Sequence, residues 1–217
     1  MDWTRKIDAY CERMGPEYWA EPVNAVTNAA FLIAALVMAA RLRGSGLPVA
    51  WILTVVLALI GLGSFLFHTH AQAWSAIADS GAIAVFILIY LFAASRDYLG
   101  LSGLYAGGSV VAFFPFAALL VPVLQHLPVL GVSAGYLPVV ILIAIYAVIL
   151  ARKSPATAKG LAIGAGLLLI SLTARSLDQT LCAQIPFGTH FLWHIFNAIM
   201  LGWMIEVYRR HSCRPAP

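Results

Sequence analysis

The sequence predicts an all-α membrane protein, a bundle of seven transmembrane helices with the N-terminus outside and the C-terminus in the cytoplasm. Three observations lead there. Of 217 residues, 62% are hydrophobic and only 10% are charged, against about 25% charged in a soluble domain. The apolar residues gather in runs close to the roughly 20 residues a helix needs to cross a bilayer. Lys and Arg are divided unequally between alternate connections, which sets orientation. A soluble globule, a disordered chain and a nucleic-acid binder are excluded. The net charge of +4 does not revive the last, because what counts in a membrane protein is which loops carry it.

The elements follow in order. Residues 1–22 are polar, with no apolar core or small-residue cleavage site, so no cleaved signal peptide is expected; this segment should pack on the outer side. The predicted spans are 23–41, 48–68, 76–95, 102–122, 131–151, 157–175 and 187–207, one helical domain over 23–207, and 208–217 form a cytoplasmic tail. Arg41-Leu42-Arg43-Gly44-Ser45-Gly46 ends the first span, Arg96-Asp97 the third and Arg152-Lys153-Ser154-Pro155 the fifth, while the connection near Gln125-His126-Leu127-Pro128 carries no charge. Arg41, Arg43, Arg96, Arg152, Lys153, Lys159, Arg209, Arg210 and Arg214 fall on one side, and only Arg5, Lys6, Arg13 and Arg175 on the other. The richer side is the cytoplasmic one. Short loops and an Ala/Leu-rich composition suggest a multi-pass protein of a bacterial inner membrane, its outer side facing the periplasm.

Polar groups inside a membrane are costly unless paired, so each is a functional candidate. Ser64 and His68 stand four apart at the end of the second span, and His190 and His194 repeat that spacing at the start of the seventh. One helical turn separates the members of each pair, so they share a face. Asp79 opens the third span. All these positions lie at the outer side, so the topology gathers residues far apart in the chain at one membrane depth. Three imidazoles with an open fourth position are the ligand set of catalytic zinc, an ion that brings the pKa of water near neutrality. Asp79 is placed to orient that water or take its proton, and Ser64 to donate to a developing oxyanion. The alternatives are structural: a lone membrane histidine ordinarily packs or hydrogen-bonds, and Gly61, Gly63 and Ser64 let helices approach closely. His70, His126 and His211 have no partner at useful spacing and read as interfacial or tail residues.

At these residues the chain resembles the alkaline ceramidase family, within the wider superfamily that includes the progestin and adiponectin receptors. Gly63, Ser64 and His68, then Asp79, then His190 and His194 occur in family order and spacing. Tyr10-Cys11-Glu12 and the stretch from Trp19 to Asn28 look like its opening motif. The resemblance implies a seven-helix intramembrane amidase, with zinc on His68, His190 and His194 and with Ser64 and Asp79 assisting attack on a ceramide amide. The lipid substrate would enter from the membrane.

The resemblance also implies a calcium site, with Asp8, Glu12 and Glu21 as oxygen ligands beside a carbonyl from Tyr10. This chain departs from the pattern: an extra residue separates Asp8 from Cys11, and Met14 stands where an asparagine is expected. The other reading is an acidic interfacial segment anchored by Trp19. Glu21, Asn24 and Asn28 share a helical face and should form an inward polar stripe. The family further implies a Cys11–Cys182 bridge, leaving Cys213 free. The competing function is a non-catalytic lipid receptor or scaffold with a structural metal; a transporter would need polar residues continuing through spans four to six.

Overall fold

The computed structural model describes residues 2–213; Arg214 and residues 215–217 lie outside them. The described chain is helical almost throughout. Helix α1 (Pro22–Leu42) is followed by α2 (Pro48–His70), α3 (Ala73–Tyr98), α4 (Gly103–Leu124), α5 (Leu137–Leu150), α6 (Pro155–Leu177) and α7 (His190–Ser212). Prolines at 22, 48, 138 and 155 fall in the first turns of α1, α2, α5 and α6, where the missing N–H would have had no helical partner.

Six of these helices are long and apolar enough to cross a membrane, and α5 is shorter. At about 1.5 Å per residue its 14 residues rise about 21 Å. The expected span 131–151 is therefore corrected. Its first residues form a 3₁₀ turn, Leu130–Ser133, because Gly131, Ser133 and Gly135 favour helix poorly and Pro138 restarts it. The last helix also differs from expectation, running to Ser212. His211, expected in a tail, lies on its final turn and meets Thr157 and the Asp97 carbonyl.

Sequential helices pack side by side, and α7 also contacts α1 and α2, closing the ring. Helix α7 is the most buried and α4 the least; of α4 only Ala106 is buried. The core runs through Phe31 and Met38 of α1, Leu53, Leu57 and Ile60 of α2, and Leu201, Met204 and Ile205 of α7. Burying such side chains contributes about 1.5–3 kcal/mol each in water. In a bilayer, close packing must replace that driving force.

The polar N-terminal segment crosses one end of this bundle. It pairs with the α2–α3 turn as a short antiparallel bridge, Ile7 N–H donating to Ala71 O at 2.8 Å and Ala73 N–H to Arg5 O at 3.1 Å. It then reaches the α6–α7 loop, where Cys11 and Cys182 form a disulfide. Cys213 is free and exposed.

Helices α2 and α3 touch where Gly63 meets the backbone of Ala78 and Asp79: a Cβ at Gly63 would stand 2.7 Å from Ala78 O. Gly63→Ala should therefore cost about 1–3 kcal/mol as overpacking, read as a lower midpoint of thermal unfolding in detergent. Gly81→Ala, in α3 with open space around it, should leave the midpoint unchanged or raised.

Candidate metal centre

His68 lies in the last turn of α2, while His190 and His194 occupy the first two turns of α7. All three are buried, at 1%, 2% and 0% exposure. One ligand atom from each lies within 4.8 Å of those of the other two. Among the described residues this is the only group of three or more His, Cys, Asp or Glu so arranged.

The outer nitrogens define the chemistry of the inner ones. His68 Nδ1 is 2.5 Å from Glu21 Oε2, so it donates to the carboxylate and Nε2 carries a lone pair. His194 Nδ1 is 2.9 Å from Thr27 Oγ1. That hydroxyl already donates back to its own helix, with Val23 O at 2.8 Å and Asn24 O at 3.1 Å, so it accepts from His194 Nδ1. The Nε2 of His194 is then also a lone pair, and the two Nε2 atoms stand 3.1 Å apart. Two acceptors cannot hydrogen-bond to each other, so a cation between them removes the conflict. His190 adds a third ring, and its Nδ1 is buried with no hydrogen-bond partner among the described residues. These donors fit a metal ion, with Glu21 and Thr27 as the outer partners that fix ligand tautomers in such sites.

Ser64 is buried one turn before His68, and its side chain interacts with the half-buried Asp79 carboxylate; His68 and Arg175 are close enough to act on that charge. The Gly63 contact holds this pair together. Tyr10 covers the centre, its ring stacked on His190 with centroids 3.6 Å apart at 22°.

The residues expected to bind calcium are placed otherwise. Asp8 is exposed. The Tyr10 carbonyl accepts from Arg13 N–H at 3.2 Å. Glu12 accepts from the backbone N–H groups of Val23 and Asn24 at 2.6 and 2.8 Å, capping α1. Burial pushes its carboxyl above the ordinary value despite those bonds. Glu21 divides its oxygens between Arg13 and His68; burial alone would raise it, yet these two partners hold it below its usual range. The expected polar stripe is present, with Glu21, Asn24 and Asn28 all buried.

Three contributors escaped the sequence reading. Thr27 was not singled out, and Glu21 was visible only as a stripe or calcium residue. Asp178, which the sequence does not single out, is buried: Oδ1 accepts from the N–H groups of Thr189 and His190 at 2.8 and 2.9 Å, and Oδ2 from that of Cys11 at 2.8 Å. It caps the histidine-bearing end of α7 and clamps the N-terminal segment to it. Gly188, at φ +65°, passes so close to Asp178 Oδ1 and Cys11 that no larger side chain fits.

The sequence matches the Ceramidase family over residues 6–213, a stretch that contains every residue of this centre. No curated protein matches the chain significantly.

Asp178→Ala would leave three buried N–H groups without an acceptor, at about 1–3 kcal/mol each. Its thermal stability should fall by about 3 kcal/mol or more, and Asp178→Asn, which keeps one accepting oxygen, should lose less. Equal stability of both variants with the parent protein would refute the clamp.

Proposed function

The chain belongs to the ceramidase family, and from that premise we propose that it is a zinc-dependent intramembrane hydrolase. It cleaves the amide of ceramide, or of a related N-acyl lipid, to a sphingoid base or amine and a fatty acid. Family membership supports an amide hydrolase with a lipid substrate in a membrane-embedded protein. The observation that carries the finer reading is the pair of His68 and His194 lone pairs facing each other at 3.1 Å, with His190 alongside.

His68, His190 and His194 hold the zinc. Bound there, the ion supplies a Lewis acid that polarises the amide carbonyl and makes water acidic enough to attack at neutral pH. Asp79 takes the proton of the attacking water and returns it to the departing nitrogen. Ser64 donates a hydrogen bond to the carbonyl oxygen as negative charge develops on it. An apolar cavity lies between α3, α5, α6 and α7, lined by Phe86, Tyr90, Val139, Leu142, Met200 and Met204 among others.

The same reading sets the protein in the membrane. The four helices between α2 and α7 return the chain to its starting side, so the meeting of His68 with His194 supports seven crossings, α5 included. A disulfide at the histidine end suits an oxidising compartment, and that end is also poorer in Lys and Arg. The N-terminal segment and the metal centre therefore face outward, toward the periplasm of a bacterial inner membrane, with the C-terminal end of α7 on the cytoplasmic side. Residues 1–22 form the cover and 23–207 the hydrolase domain.

Purified protein should hold roughly one zinc per chain, as a three-histidine site does, and release fatty acid from ceramides or other N-acyl lipids. His190→Ala should lose both. Ser64→Ala should slow turnover about 100- to 1000-fold while zinc content stays at the parental level. Zinc retained without hydrolysis of any lipid amide would favour the receptor or scaffold, and full activity without metal would end the proposal.

A further inference from the structure

Arg13 is the buried cation nearest this centre, its side chain 3% exposed. The guanidinium donates from Nε to Glu21 Oε1, from Nη1 to the carbonyls of Gly15 and Glu17 at 3.1 and 3.4 Å, and from Nη2 to the carbonyl of His68 at 3.0 Å. Three carbonyl oxygens and one carboxylate oxygen thus converge on one positive group. That is the donor chemistry a hard divalent ion recruits, and here the chain supplies the charge itself. The contacts also close a ring. Arg13 holds the His68 backbone directly, and it holds Glu21, whose second oxygen holds the His68 imidazole at Nδ1. The other buried carboxylates near the N-terminal segment are spoken for, since Glu12 and Asp178 spend both oxygens on backbone N–H groups.

We propose that Arg13 is a positioning residue for the metal centre: a resident cation that neutralises Glu21, fixes the His68 ring through it, and lets the three-histidine site assemble without calcium. This rests on the histidines being a metal site. The planar fork matters as well as the charge, because an ammonium cannot reach a carboxylate and three carbonyls in one plane.

The test measures zinc affinity of the full-length protein in detergent, by competition with a chromophoric chelator, with and without added calcium at about 1 mM, in the concentration range of weak calcium sites. The parent protein should bind zinc equally in both conditions. Arg13→Gln should weaken zinc binding about 10- to 100-fold, the usual effect of losing an outer partner, and Arg13→Lys should recover part of it. Should Arg13→Gln not fold, Glu21→Gln and Arg13→Lys carry the comparison, each expected to bind zinc more weakly than the parent. Affinity within about twofold of the parent in the folded variants, or parental zinc binding that needs calcium, would overturn the inference and leave the metal site standing. A parent protein that binds no zinc would remove the metal site itself, and the inference with it.

Discussion

Two nitrogen lone pairs aimed at one point from different helices are the constraint around which this protein is arranged. The Nε2 atoms of His68 and His194 stand 3.1 Å apart, and two nitrogens that both lack a proton are not a stable pair at that distance. The surroundings enforce the arrangement by occupying the outer nitrogens. Glu21 accepts a hydrogen bond from Nδ1 of His68, and Thr27, its own hydroxyl turned back to the helix, accepts one from Nδ1 of His194. A proton or metal ion is then the natural occupant, and the low polarity around the site strengthens its attraction to the ligands.

The fold serves that arrangement from several directions. Helix α7 carries two of the rings and is the most buried element, gripped by α1, α2 and α6. Helix α4 shares few contacts and leaves its faces to the surroundings. The N-terminal segment contributes Tyr10 over His190, Arg13 beneath His68 and Cys11 to the disulfide. A stretch that composition alone marks as polar and peripheral thus shields the centre, and shielding from water is what makes each electrostatic contact within it strong.

The histidines were legible in the sequence because two cues coincide. An i, i+4 pair on one helix has a fixed facing, and alternating spans bring its end beside the end of α2. Ser64 and Asp79 follow from the same logic. Thr27 was not legible, since a threonine on an apolar helix looks like packing until its hydroxyl is seen at His194. Asp178 was hidden because it caps a helix twelve residues downstream, beyond the local spacing of capping signals. Arg13 was counted only as an outer loop charge; nothing in its neighbours along the chain announces a buried guanidinium. The short α5 is a case of local propensity overriding an apolar run, with glycines and a serine interrupting the helix where hydropathy stays high.

The link between Cys11 and Cys182 spans 171 positions of sequence, and that separation has a bearing on biogenesis. The ribosome delivers the covering strand first and its anchor near the end of translation. The ligands follow the same schedule, since α2 is complete long before α7 exists. The three-histidine cluster is therefore unable to assemble while the polypeptide is still being threaded into the lipid; its closure and its sealing by oxidation are both post-translational events, and a chain truncated before α7 would lack two of the three rings and the anchor of the cover.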